Sequence, residues 1–343
     1  MDNPKISRRF KSARAAIPHK LRGPVLWKSW WQIANTFIPF FAVCAFMHIA
    51  FGAGYWEALL LIPLAAGFLV RIFIIQHDCG HGAFFRSARA NDWLGRICGV
   101  LTLTPYDYWR RQHHGHHTRW NCLDRRGADI DAYSKCLTVA EYRALSPMRR
   151  WLYRLQRNTA VMFFLIPPLV FLVIYRIPLA APRERKRAHL SVHLTTAAIG
   201  LAVGGLVVSA GVASTLLVQL PINMLGAIAG AWLFFVQHQF DRTTWVRKSE
   251  WEFGDAVANS SSFLNLPPVL RWFSGNIGYH HIHHLDYRIP NYHLPSCQTG
   301  FASFAAPREI SFWAGLKATQ LTLWDEAKGA LVRFSDERAA RPA

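Results

Sequence analysis

The chain has 343 residues, 52% of them hydrophobic, and a formal charge of +19. Apolar residues fall in long blocks and basic residues flank those blocks. The charge excess therefore reads as loops lying against anionic lipid, and nucleic acid is not expected as a partner. The cysteines (Cys44, Cys79, Cys98, Cys122, Cys136 and Cys297) form no CxxC pair, which leaves zinc knuckles, iron–sulfur clusters and dithiol redox motifs without support. Free thiols are expected instead.

Residues 1–32 carry eight Lys/Arg and no short apolar core with a cleavage site beside it. They are read as a basic cytoplasmic segment, not a cleavable signal peptide. A charge-free block near 33–54 is the first expected span, and a second lies near 56–75. Its helix passes Arg71 and runs on through IFIIQ into the cytosol. The connection between the two holds no Lys or Arg, which sets the N-terminus on the cytoplasmic side. The third and fourth spans are expected near 190–209 and 216–236, again joined without Lys or Arg. The basic region after them returns the C-terminus to the cytoplasm.

Two other apolar stretches are not expected to cross. Residues 93–104 are too few. Residues 159–178 are interrupted by Pro167 and Pro168, which break a helix, and both flanks (RRWLYRLQRN and RERKR) are basic. This stretch is read as re-entrant or interfacial. The expected fold is then an all-α integral membrane protein, one domain over 1–343. It has four transmembrane helices, two membrane-dipping segments, and a cytoplasmic helical cap formed by 77–158 and 237–335, with a tail at 336–343. GxxxG spacings at Gly200/Gly204 and Gly226/Gly230 are read as close helix packing.

Three histidine boxes carry the chemistry. HDCGHG places His77 and His81 at i, i+4 on one helix face. His77 lies roughly 9 Å past Arg71 on a continuous helix, just outside the hydrocarbon. QHHGHH gives His113, His116 and His117, and GYHHIHHL gives His280, His283 and His284. Both sets have i, i+3, i+4 spacing. His114 and His281 point elsewhere on a helix and are read as supporting or solvated residues. His189 and His193 are read as interfacial at a span entrance. Eight histidines exceed the needs of one metal, so two metals are expected, with iron, copper, zinc and nickel all compatible with neutral imidazole. The chain has no ExxH, as soluble di-iron bundles do, and no HExxH of a zinc protease. His238, at the end of the fourth span in FFVQHQF, is a ninth candidate on the same face.

These boxes, with the segments QHDCGHGAFF, TPYDYWRRQHHGHH, NCLDRRGADI, FFVQHQF, SSFLNLP, GNIGYHHIHHLDYRIPNY and LTLWDEAKGALV, resemble the membrane fatty acid desaturases, especially bacterial acyl-lipid omega-6 (delta-12) desaturases. The resemblance covers roughly residues 30–335. It implies that His77, His81, His113, His116, His117, His280, His283 and His284 bind two non-haem irons and that His238 completes the centre. It also implies O2 as co-substrate, a lipid acyl chain as substrate, and a cis alkene and water as products. Phe234 stands where a related eukaryotic branch places an Asn, and Asp286 where a small residue follows the third box.

The metals must carry a C–H cleavage that no side chain performs, while the protein binds and orients. The first, second and fourth spans are expected to form the acyl slot. Asp78, Asp124, Asp129 and Asp255, with Asn276 as a neutral partner, are the candidates to orient the imidazoles. The chain shows no GxGxxG after a strand, no HPGG haem motif and no cluster cysteines, so an external ferredoxin-like or similar donor is implied. An inner-membrane location with a cytoplasmic active site is expected. Two rivals share features of the sequence. A carotenoid or alkane hydroxylase or ketolase would use the same scaffold. A non-enzymatic metal-binding or transport protein would place histidines or acids along a path through the spans, where only His48 lies.

Overall fold

The computed structural model describes residues 10, 12–126, 136–179, 186–302 and 305–339. Among the described residues, three stretches are long and apolar enough to cross a membrane: His19–Gly52, Trp56–Gly80 and Lys186–Val236. The bodies of the first two are helices α1 (Leu26–Gly52) and α2 (Ile62–Gly80). Pro39 lies inside α1, a position that membrane helices tolerate because neighbouring groups satisfy the freed carbonyl. α2 opens with a proline in its first turn, where the missing N–H costs nothing. It continues unbroken past Arg71 to Gly80, as the sequence suggests. Arg71 is buried, and its Nε donates to Thr36 Oγ1 at 3.1 Å on α1.

After α2 come two shorter helices, α3 (Ala88–Leu101) and α4 (Tyr106–His116). Ser87 caps α3 by accepting from Ala90 N. α3 is amphipathic: Trp93 and Ile97 are exposed while Asn91, Gly95 and Cys98 are buried. The close approach of α4 depends on Gly95, where a Cβ would stand 2.2 Å from the Tyr106 ring.

Contrary to expectation, the Pro167–Pro168 pair does not break the helix, which runs on over residues 159–172. The pair falls in the first turn of α6 (Ile166–Leu172), directly after a π-helical turn at Val161–Leu165. The segment Val161–Arg176 bends by 63° from α5 (Pro147–Gln156), and the two pass as a further apolar span only if counted together.

The 51-residue stretch Lys186–Val236 holds α7 (Lys186–Ser214) and α8 (Leu220–Val236). As one straight helix it would be about 75 Å long, yet both of its ends reach α4. Ser191 Oγ accepts from Asp107 N at 3.2 Å, and His238, just past α8, has Nε2 3.0 Å from His116 Nε2. The stretch therefore doubles back. The reversal sits at Gly211, whose φ of 82° is left-handed and favours glycine. At this far end His48 Nδ1 lies 2.7 Å from Ser214 Oγ.

Two further sequence expectations change here. The cap is not all-helical: it contains a three-stranded sheet in the order β1 (Leu137–Thr138), Leu323–Asp325, Ala330–Val332, and a parallel pair formed by β2 (Ser262–Asn265) and Arg308–Ser311. β2 fixes the entry to the third box, since Leu264 N donates to Gly278 O at 2.8 Å. A Cβ on Gly278 would lie 2.4 Å from Leu264 O. The second change concerns the GxxxG spacings. Only Gly226 packs closely, against Leu69. A Cβ at Gly200, Gly204 or Gly230 would meet nothing within 4 Å.

Candidate metal centre

The nine histidines come from four places in the chain. His77 and His81 end α2. His113, His116 and His117 end α4. His238 follows α8. His280, His283 and His284 lie on the short helix His280–Leu285. They assemble into two groups, one of His77, His81, His113, His117 and His283, the other of His116, His238, His280 and His284. Within each group the candidate ligand atoms lie within 4.8 Å of one another. The groups adjoin: the rings of His117 and His284 stack at 4.4 Å. Eight of the nine are buried and His81 is partly so.

The spacing of the Nε2 atoms is informative. In the first group His113 lies 3.0 Å from His81 and 3.1 Å from His117, which is 3.0 Å from His283. In the second, His238 lies 3.0 Å from His116 and 2.9 Å from His280, which is 3.0 Å from His284. With metal–nitrogen bonds of ~2.1 Å, tetrahedral ligands would stand ~3.4 Å apart and ligands at right angles ~3.0 Å. The first group also offers five imidazoles, one more than a tetrahedral zinc takes.

Protonation agrees. Burial first, and neighbouring imidazoles second, hold His81, His113, His117, His280, His283 and His284 well below the ordinary imidazole pKa. Burial and His116 do the same at His238, against the pull of the Ser260 carbonyl. Neutral rings keep a lone pair for a metal. His238 Nδ1 lies 2.9 Å from Ser260 O, so an Nδ1–H donated there leaves Nε2 facing the group.

Of the residues expected to orient the imidazoles, Asp78 does reach one. Its Oδ1 lies 3.4 Å from His77 Nδ1, while Oδ2 accepts from Asn291 N at 2.7 Å and Nδ2 at 2.8 Å. Asn291 in turn pairs with Gln32 of α1. Asp124 is a correction. It sits at the surface, accepting from Arg247 Nη1 and Lys248 N, and its closeness to the second box in sequence does not persist in space. Asp255 lies in α9 (Phe253–Asn259), its carboxyl pushed up by burial, with no ligand histidine bonded to it. Asn276 Nδ2 donates to Asn291 O at 3.3 Å rather than to a histidine. Asp129 lies outside the described residues.

His281 is buried but belongs to neither group. It is 2.9 Å from Gln298 Oε1, and burial lowers its pKa to about 4. His114 is exposed. Asp286 is buried and ion-paired to Arg14 and Arg288. Burial opposes its charge, but the two guanidiniums hold its carboxyl below the usual range. Phe234 packs its ring 4.9 Å from His116. Sequence reasoning missed the aromatic walls, Trp109 stacked on His113 at 4.9 Å and Trp120 at 4.2 Å from His284. It also missed Asn291 and the Ser260 carbonyl. A backbone carbonyl has no residue-type signature; Asn291 sits in the RIPNY segment after the third box.

A narrow apolar cavity leads from His77, His113, His116 and His280 down to Asn223 on α8. Its walls come from α2, α4, α8 and the proline-bearing segment (Val170, Phe171 and Tyr175), and none from α1. The expected contribution of the first span is thereby replaced by the segment read as re-entrant. Gly230 lines the cavity, which explains why its missing Cβ faces open space.

Residues 54–315 match the family model described as fatty acid desaturase. The chain is 40% identical over 303 residues to a fatty acid desaturase of Bacillus subtilis, covering 88% of this chain and 85% of that one. It is 29% identical over 319 residues to a chloroplastic omega-3 fatty acid desaturase of Glycine max, with 82% and 62% covered. It is 24% identical over 229 residues to the sn-1 oleoyl-lipid 12-desaturase of Synechocystis sp., with 66% and 63% covered.

Proposed function

This chain belongs to the fatty acid desaturase family, and we propose that its nine histidines hold two irons at the head of the apolar cavity and introduce a cis double bond into a lipid-linked acyl chain. The observation that carries this reading is the meeting of the two histidine groups with one apolar cavity at His77, His113, His116 and His280. When bound, the irons and O2 supply the oxidising power to take two hydrogens from adjacent methylenes, with the oxygen leaving as water. Two electrons per turnover come from an external carrier. A ferredoxin-like donor is supported by relatives named as ferredoxin-dependent.

The protein's share is binding and placement. The cavity walls exclude water and hold the tail at about 0.8 kcal/mol per buried CH2. Asp78 and Ser260 O orient His77 and His238. Trp109 and Trp120 stiffen the rings they touch.

We further propose four bilayer crossings, by α1, α2, α7 and α8, with the histidines and both termini on the cytoplasmic side of a bacterial inner membrane. The reversal at Gly211 and the eight Lys/Arg in 1–32 support this.

The position of the double bond is proposed as delta-12 on a monounsaturated acyl lipid, by likeness to the oleoyl-lipid 12-desaturase. A second reading has an observation behind it. From Phe234 to Asn223 the cavity follows α8 for roughly 16 Å. A delta-12 bond in an oleoyl chain leaves about five carbons toward the methyl end, roughly 6 Å with C–C bonds of ~1.5 Å. The deeper cavity would be filled by a chain cut closer to its head group. Expression in an oleate-rich host, with the new double bond mapped by mass spectrometry, separates the two. Hydroxylated product without alkene would refute both.

A further inference from the structure

A second cavity, open to the outside, lies between α3, α4 and the start of α7 and touches His81 and His113. Five basic side chains (Arg96, Arg110, Arg111, Lys186 and Arg187) and two carboxylates (Asp92 and Asp107) line it, an excess of three positive charges. Both carboxylates are already engaged. Asp107 accepts from Arg96 at 3.0 Å and from Arg110 at 3.3 Å, and Asp92 accepts from Arg110 at 2.6 Å. The lining changes character along α7. Lys186 and Arg187, both exposed, line the cleft at the start of this helix, followed along it by Leu190, Leu194 and Ala198, while Ile97 and Val100 line it from α3. From Arg187 to Ala198 the helix advances roughly 16 Å, about the thickness of one hydrocarbon leaflet. Trp93, Ile97, Leu190 and Leu194 are exposed here and would face lipid.

We propose that this cleft seats an anionic membrane phospholipid, its phosphate on Lys186 and Arg187 and a tail along Leu190, Leu194 and Ala198. The occupant would cover His81, the partly exposed member of the first histidine group. Charge layering favours a lipid over an acidic carrier protein. A carrier would need a broad water-facing patch of about 800 Å², whereas this cleft is concave and is lined by Leu190, Leu194 and Ala198 beyond the basic pair. The proposal rests on the reading of α7 as bilayer-embedded.

The test uses the full detergent-purified chain titrated with dioleoyl phosphatidylglycerol or dioleoyl phosphatidylcholine, with bound lipid counted by native mass spectrometry. Wild type binds one phosphatidylglycerol at least tenfold more tightly than phosphatidylcholine. The variant K186Q/R187Q loses about thirtyfold of the phosphatidylglycerol affinity, at about fivefold per removed charge near a lipid surface, while its iron content stays unchanged. Equal binding of the two lipids, or a variant that binds as wild type does, overturns the proposal. So does a variant whose lipid binding is intact but whose turnover needs more carrier protein, because the basic pair is then a protein-docking surface. A chain that stays dispersed without detergent overturns the embedding reading itself, before any lipid is added.

Discussion

Gly230 offers a direct way to shorten the acyl cavity. It lies one turn of α8 from Phe234, roughly 6 Å along the axis, and two turns from Asn223, roughly 10 Å. Its Cβ position meets nothing within 4 Å and it lines the cavity. Gly230→Leu therefore places its side chain in the path of the tail, and replacing glycine by leucine in a helix favours the helix. Leucine displaces about four methylenes. At ~0.8 kcal/mol each the tail loses about 3 kcal/mol of burial, on the order of a hundredfold in KM. The loss falls on chains that carry more than about five carbons beyond the irons, given a ~6 Å remainder. The assay supplies acyl lipids of graded chain length and maps each product double bond. The variant is expected to favour short tails or bonds nearer the methyl end, with iron content unchanged. An unaltered chain-length profile and bond position would refute the placement of the tail in this cavity.

Other outcomes follow from the same geometry. His113→Ala removes an Nε2 that stands within 3.1 Å of two others, and should abolish turnover and lower bound iron in elemental analysis. His281→Ala should keep its iron and lower the unfolding temperature instead, since His281 contacts Gln298 and no ligand histidine's Nε2. Asp78→Ala removes the acceptor of Asn291 and the neighbour of His77. A ten- to hundredfold fall in activity or iron affinity is expected, whereas Asp124→Ala should leave both at wild-type values. The metal-free protein should lose stability as pH falls below the ordinary imidazole value of 6.5. The unfolded state takes up protons there that the buried, neutral histidines refuse. A metal-free melting temperature that stays flat from pH 7 to about 5 would contradict this linkage.

Much of the site is legible in sequence because helical spacing is local. The i, i+3, i+4 pattern sets His113, His116 and His117 on one face, and the structure joins them to the other boxes. His238 could be found from its place at the end of an apolar block. What is not legible is non-local. Asp124 follows the second box by seven residues yet pairs with Arg247 at the surface. His77 is instead supported through Asp78 by Asn291, 213 residues later. The parallel pairing of β2 with Arg308–Ser311 closes a long connection, and strands this short leave little periodicity to read. Basic flanks and two prolines identify residues 159–178 as irregular, but not that Val170, Phe171 and Tyr175 would wall the cavity in place of α1. GxxxG spacing marks a lack of side chains, which serves close packing at Gly226 and open space at Gly230.

Metal content of the active, purified chain tests most directly whether the nine imidazoles cradle a pair of irons. Emission spectrometry on protein that still forms alkene should return close to two irons per chain and no stoichiometric zinc. An active preparation holding one metal ion or none, or holding zinc in place of iron, would contradict the account.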